Sequence, residues 1–458
     1  MKARLAILRV ALAFAFVVAG AGCEVALDFH ECNVSADCAG RSPDGGVALY
    51  CTSDHMCVDG TPCVVSTAPT TSTGQAPLVI GGLYKLSGTG ADDHAVRQAV
   101  DLAAEQLATV NQPVLHVACD TAGDPTQAAN ALRVAVDIFH AVAIVGPRTS
   151  DEVVKGLAPI VKRYGAVVVS PSATNPSIGQ LDDANLIWRT CPSDDLQANV
   201  LTMLVPTTSK LDVVYVDMNT YATGLEQAFT QQWGGTVSKS IVFESGMAAA
   251  SVAEMDDPQY ALLIADTDAP ALVTAIDATP ALSMTQFLMT DSAQAPSLWG
   301  AAPYDYTLLS RISGTAPGLP PDSDPSAAVY RSFASDYEAH WNNEDPADTA
   351  HVANAYDAAF AIAIAAAAAG KHATGADIAA NLARLSTPGA LAVDVGPITF
   401  TMGVNALTSG SDINLVGASG PIDFDGNGDV VTAPIEVWGI AQGTDGSPTF
   451  VSERVITP

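Results

Sequence analysis

AVAIVGPRTSDEVVKGLAPIVKRYGAVVVSPSATNP, residues 141–176, decides the fold. Ala141–Val145 is a short apolar run closed by Gly146-Pro147, the pattern of a buried strand followed by a turn. Thr149 and Glu152 stand in capping-box spacing, which predicts a helix beginning there. Val153, Val154, Leu157, Ile160, Val161 and Tyr164 fall on one face of that helix. Pro159 predicts a kink within it, and Gly165 its end. Ala166–Ser170 is a second apolar run, read as a strand parallel to the first. Strands this uniformly apolar belong to a sheet covered by helices on both faces. Two loops, Gly146–Ser150 and Pro171–Pro176, then leave the same sheet edge, where open α/β sheets bind ligands. The first is rich in hydroxyls and runs into a helix N-terminus, which suits an anion or carboxylate.

The same alternation extends in both directions. Val79–Tyr84 and Val114–Cys119 read as strands, with a helix from about Ala95 to Leu107 between them. Asp124-Pro125 is an N-cap followed by proline in first position, opening a helix toward His140. After the strand Leu186–Thr190, Cys191-Pro192 is the expected crossing into a second lobe. There Val213–Val216, Ser240–Phe243, Tyr260–Ala265 and Gln286–Met289 read as strands, and Tyr221–Trp233 as a helix. Gly314–Gly318 reads as the return crossing and Asp412–Asp423 as the third. Ala327–Trp341, Thr349–Ala369 and Gly375–Leu385 are helices expected to complete the first lobe. The fold class is therefore α/β, with two doubly wound parallel-sheet lobes joined by three hinge crossings. Lobe 1 is expected over 78–190 and 319–411, and lobe 2 over 192–313 and 412–458.

The chain has 458 residues, a formal charge of −30 and only 15% charged residues. Mean hydropathy is +0.25, which is globular rather than disordered. A surface this acidic excludes nucleic acid as a partner. Residues 1–23 read as a secretory leader: Lys2, Arg4 and Arg9 precede the apolar core Val10–Val18, too short to span a bilayer. Ala21-Gly22-Cys23 resembles the end of a bacterial lipoprotein signal, so Cys23 is expected to carry lipid, with Gly20 in place of the usual leucine. Glu24 permits sorting to the outer membrane under the rule for such lipoproteins. The expected location is the periplasmic side of the cell envelope, held to the membrane by lipid alone.

Residues 24–64 form a cysteine-dense module with Cys32, Cys38, Cys51, Cys57 and Cys63. A segment this small cannot bury a sufficient core, and no CxxC pair suits zinc, so disulfides are expected despite nearby His30 and His55. Five cysteines leave one over: Cys63 pairs with Cys119, or Cys119 pairs with Cys191. Residues 65–77 are rich in Thr, Ser, Pro and Gly and read as a flexible tether.

GPRTS at 146–150 and VVVSPSATNP at 167–176 resemble the periplasmic leucine/isoleucine/valine-binding proteins. These are the type I substrate-binding proteins of ABC importers. The resemblance continues in order through VIGGLYKLSG, DTAGDPTQA, IWRTCPSDDLQ, VVYVDMNTYATGLEQAF, FLMTDSAQAPSL, AYDAAFAIA and GASGPIDFDGNGDV, over roughly residues 78–441. It implies that Ser150, Thr174 and backbone groups of Ala173 hold a ligand carboxylate. It also implies that Asp291 meets the ligand's ammonium, Asp194 lines the cleft at the hinge and Tyr221 is the aromatic wall. Asp291 is one methylene shorter than the family's frequent glutamate. Asp266-Thr267-Asp268 stands where an aromatic is expected: either three carboxylates at one rim select a polar or cationic ligand over a bulky aliphatic one, or Asp266 and Asp268 cap the helix beginning near Ala269.

No HExxH, GxSxG, Walker or dinucleotide motif occurs, so no enzyme, metal or cofactor is expected. DFDGNGD at 423–429 begins like a calcium loop, but Pro434 stands where a bidentate glutamate is required, and a tight turn is expected instead. The implied function is capture of a small amino-acid-like ligand for an ABC permease and its ATPases. The alternative is a ligand-sensing receptor ectodomain of the same fold.

Overall fold

The computed structural model describes residues 31–38, 49–60, 62–69, 76–88, 93–265, 267–300 and 302–458. Cys23 and Asp266 lie outside them. The chain divides into two units, 1–62 and 63–458. In the first, a 3-10 turn at Ser35–Cys38 accompanies an antiparallel pair, β1 (Leu49–Cys51) and β2 (Cys57–Asp59). Disulfides Cys32–Cys51 and Cys38–Cys57 hold this pair where a core cannot. Cys32, Cys38 and Cys57 lie close together, but all three sulfurs are engaged in disulfides.

The second unit opens with β3 (Cys63–Thr67), which takes up residues 65–67 of the expected tether, while residues 70–75 of it lie outside the described residues. β3 runs antiparallel to β5 (Val114–Asp120) and forms the edge of a six-stranded sheet. The register places Cys63 opposite Cys119, and the two form a disulfide. Cys191 is left a buried free thiol. Ser66 and Thr67 donate their hydroxyls to Asp101 at 2.8 and 2.5 Å. Composition read as flexible is an edge strand instead, since Val64, Val65 and Thr67 are β-branched and their hydroxyl neighbours find a buried acceptor.

β4 (Leu78–Tyr84), β6 (Ala143–Val145), β7 (Val167–Ser170) and β8 (Ile187–Arg189) complete the lobe 1 sheet in the order β3-β5-β4-β6-β7-β8. All but β3 are parallel. Ala143–Val145 and Val167–Ser170 are buried throughout, as a sheet covered on two faces requires. One cover is the helix Val352–Ala369, apolar enough to cross a membrane by composition yet 83% buried within the fold. Its alanines allow close approach to neighbouring helices. The helix after Gly146-Pro147 begins on the expected capping box: Glu152 Oε2 accepts the Thr149 N–H at 2.9 Å, and Thr149 Oγ1 accepts the Glu152 N–H at 3.2 Å. Pro159 lacks an N–H to continue the ladder. The chain answers with a π-wound turn over Glu152–Leu157, a break, and one further turn, Val161–Tyr164. Gly165 ends it at φ +68°.

Lobe 2 carries β9 (Leu211–Val216), β10 (Val237–Phe243), β11 (Tyr260–Ile264), β12 (Gln286–Met289) and β13 (Ile312–Pro317). A small parallel pair, β14 (Leu391–Asp394) and β15 (Ile413–Val416), follows. β16 (Ile435–Gln442) and β17 (Pro448–Ile456) then complete the lobe 2 sheet, order β10-β9-β11-β12-β13-β16-β17, with antiparallel pairing from β13 onward.

Two crossings differ from expectation. Gly314–Pro317 belongs to β13, so the return crossing begins at Gly318. Gly314 is small because the Trp438 ring lies on it: an added Cβ would sit 2.2 Å from Trp438 Cζ2. The third crossing falls at 430–434 rather than Asp412–Asp423. β15 pairs with β14, and the 423–429 turn is held to lobe 1 through Asp429. Pro192 and Val430 bridge in parallel, so the first and third crossings run side by side.

Candidate functional site

The lobe 1 wall is built from the two expected loops. Arg148 Nη1 pairs with the buried Asp93 at 2.7 Å and braces the first loop. Ser150 opens the helix, and its Oγ accepts the Asn175 N–H at 3.2 Å, which joins the two loops. Ala173 is fully buried, its N–H donated to Ser170 Oγ at 3.0 Å and its carbonyl shared with Arg189 at 3.2 Å. Its backbone therefore shapes the loop. Thr174 is buried beside Ser150, and its carbonyl accepts the Asp194 N–H at 2.8 Å. The hydroxyl residues Ser150 and Thr174 thus come from two joined loops at a helix start, a setting that favours an anion.

Arg189 fixes this wall from behind. Its side chain is fully buried. Nε and Nη2 grip the two Asp429 oxygens at 2.6 and 2.8 Å, and Nη1 donates to the carbonyls of Ala173 and Asn175. The 423–429 segment is a turn, and Asp429 serves Arg189.

The lobe 2 wall gathers Asp194, Tyr221 and Asp291 from three separate elements. Asp194 starts the helix Asp194–Leu204, capped by Ser193, whose side chain accepts the Asp195 N–H. Tyr221 lies in the first turn of Thr220–Gln232, capped by Asn219. Asp291 follows β12. The Tyr221 hydroxyl donates to Asp291 Oδ1 at 2.8 Å, and Gln197 Nε2 to the same oxygen at 2.9 Å. Both bonds use one oxygen of Asp291. Burial raises the Tyr221 hydroxyl well above the usual phenol range, and the charges of Asp291 and Asp194 add to it, so it stays a donor. Asp194 is fully buried, and neither carboxylate oxygen meets a donor in good hydrogen-bond geometry. Burial, then the charge of Asp291, push its carboxyl well above the usual range; Thr174 and Arg189 offset this only in part. An approaching cation would relieve both effects.

The expected carboxylate rim is rearranged. Asp268 accepts a hydrogen bond from Ser245 at 2.9 Å, at the N-terminus of the helix Ala269–Asp277. The pair that shapes the cleft is Asp194 with Asp291. The strand-end position of Asp268 suggested the cleft, but its helix turns it to the neighbouring loop.

His351 belongs to the site and was not singled out by sequence. It caps Val352–Ala369 at φ +69°. Asn354 lies beside the ring, yet Nδ1 is shielded from solvent and meets no partner in good geometry. Burial lowers its pKa to about 4; Asp291 opposes this, and Arg148 reinforces it. A lone histidine carries no spacing signal, and only its place just before AYDAAFAIA could have drawn notice. The folded value lies below the unfolded value of about 6.5. The stabilisation is therefore present above pH ~6.5 and is lost as pH falls toward 4. On acidification from pH 7 to 5, the melting temperature of wild type should fall further than that of His351→Asn, a residue that tolerates both the cap and the positive φ. Parallel falls would remove His351 as the titrating group.

The lobes are in contact at the mouth of the cleft. Thr220 N–H donates to Asp151 Oδ1 at 3.0 Å, Asn175 Nδ2 donates to the Thr220 carbonyl, and Lys155 Nζ donates to the Met218 carbonyl at 3.1 Å. This is a closed arrangement.

Residues 92–443 match the family described as the receptor family ligand binding region. The chain belongs to this family. The receptor-family fold is shared with the isoleucine-bound LivJ of Streptococcus pneumoniae, a branched-chain amino acid transporter substrate-binding protein. That pair has 18% identity and a TM-score of 0.63, covering 84% of this chain and 100% of LivJ. The leucine-binding protein LivK of Thermotoga maritima is similar at 24% identity and TM-score 0.63, over 84% and 99%. A solute-binding protein of an R. palustris ABC transporter, in complex with 4-hydroxybenzoate, gives 14% and 0.64, over 83% and 97%. Among curated proteins, the chemotactic substrate-binding protein BasB of Halobacterium salinarum is 31% identical over 187 residues, 37% of this chain. The chain spans 44% of the length of BasB. These relatives are substrate-binding proteins, not enzymes.

Proposed function

We propose that the chain captures a small amino-acid-like ligand between its lobes and presents it to an ABC permease with its ATPases. One observation carries this: the lobe 1 loops bearing Ser150 and Thr174 meet the lobe 2 carboxylates Asp194 and Asp291, with Thr174 in contact with Asp194. The first end suits a carboxylate and the second an ammonium, so the cleft is complementary to a zwitterion. Tyr221 closes with lobe 2 while holding Asp291 in place. Attachment through a lipidated Cys23 on the periplasmic side of the envelope, with outer-membrane sorting, belongs to the same reading and is supported by the leader's Ala21-Gly22-Cys23 ending. A second reading, ligand sensing without transport, is favoured by the likeness to a chemotactic substrate-binding protein.

Calorimetry with amino acids, their amides and 4-hydroxybenzoate tests the ligand class. Ser150→Ala and Thr174→Ala should each weaken amino-acid binding about ten- to a hundredfold, the worth of one hydrogen bond to a charged group. Normal amino-acid affinity in both variants, with melting temperatures intact, would sink this carboxylate site.

A further inference from the structure

Beyond Asp291 the cleft opens into a cavity of ≈ 590 Å³, within the range of small-molecule sites. Tyr330 and His351 line it from lobe 1, and Gln294 and Glu436 from lobe 2. Its charge is of one sign. Asp291, Asp348 and Glu436 line it, and among the described lining residues there is no lysine or arginine. The Tyr330 hydroxyl feels the same field: burial raises it to about 12, and the named charges beside it, Asp345, Glu338 and Asp348, are all negative.

Three further observations bear on what this region would bind. Asp194, which acts electrostatically on Asp291, is fully buried with both oxygens short of a donor. His351 lines the same cavity, its Nδ1 is shielded from solvent, and it is within electrostatic reach of Asp291. Glu436 is only partly satisfied, with a long 3.3 Å bond from Gln294. Buried acceptors and carboxylates without donors are unfavourable unless a donor or cation arrives. A bulky aliphatic side chain would offer Glu436 and His351 no donor.

We propose that the ligand's distal end occupies this cavity and carries an ammonium or guanidinium group, facing Glu436 with His351 Nδ1 as an additional acceptor. The inference rests on the amino-acid reading of the cleft and names its side-chain class.

The test is calorimetry at pH 7 on the full chain with three probes: L-arginine, L-leucine and agmatine, which lacks the carboxylate. L-arginine should bind at least about tenfold tighter than L-leucine. Glu436→Gln should weaken L-arginine about tenfold or more and leave L-leucine within about threefold. Asp348→Asn, at an exposed position where folding is not at risk, should shift L-arginine in the same direction by less. L-leucine binding as tightly as L-arginine, with both variants indifferent, overturns the cationic end and leaves the amino-acid reading standing. Agmatine equal to L-arginine, with Ser150→Ala indifferent, overturns the amino-acid reading and keeps the cationic cavity. Failure of all three probes overturns both.

Discussion

Arg189→Ala should lower the unfolding free energy by about 3–5 kcal/mol, the usual consequence of removing one partner of a buried ion pair. Arg189 is fully buried, and its partner Asp429 is only 17% exposed. The loss goes beyond one pair, because the same guanidinium serves the carbonyls of Ala173 and Asn175. Arg189→Lys should recover only part of the loss, since an ammonium has no fork to grip both Asp429 oxygens and reach the loop as well. Urea unfolding of Arg189→Ala, Asp429→Asn and the double variant checks this. The double variant should cost much less than the two singles together, because the first substitution already breaks the shared interaction. A cost below about 1 kcal/mol for Arg189→Ala would mean that the 423–429 turn does not hold the ligand loop.

Gly224→Ala should separate stability from binding. Glycine inside a helix is unfavourable by about 0.5–1 kcal/mol relative to alanine, so the substitution favours the helix Thr220–Gln232 taken alone. In the closed arrangement, however, the new Cβ would lie 1.9 Å from Asn175 Nδ2. Asn175 cannot swing aside cheaply. Its Oδ1 accepts both the Ser177 N–H and hydroxyl, at 2.8 and 2.6 Å, and its Nδ2 binds the Thr220 carbonyl across the lobes. We expect an unchanged or higher melting temperature without ligand and amino-acid affinity at least about tenfold weaker. Unaltered affinity would show that the lobes close on ligand without this contact.

The lobes were legible because their strands are short apolar runs between turn signals, from Val79–Tyr84 to Gln286–Met289, and parallel sheets bury both faces. The capping box at Thr149 and Glu152 was legible because it is a local pattern. The crossings were less so. Gly314 looks like a hinge in sequence, but it is a strand residue made small by Trp438, a contact far away along the chain. Residues 65–67 look flexible by composition, and only pairing with β5 shows an edge strand. At the site, motif order put Ser150 and Thr174 on adjacent loops and Tyr221 and Asp291 in lobe 2, but the Ser150–Asn175 and Tyr221–Asp291 hydrogen bonds were not legible. The Asp194–Asp291 pairing and the place of His351 depend on how three elements converge, which spacing does not encode.

The Cys63–Cys119 bond also sets a mechanical order. Any tension along the N-terminal segment enters the second unit at Cys63 and passes at once into β5 of lobe 1. Ser66 and Thr67, bound to Asp101, spread it into the helix His94–Thr109. Lobe 2 lies off this load path, joined to lobe 1 by the three crossings and the light contacts at the mouth. A pull on the N-terminal segment thus loads lobe 1 first and reaches lobe 2 only through those joints.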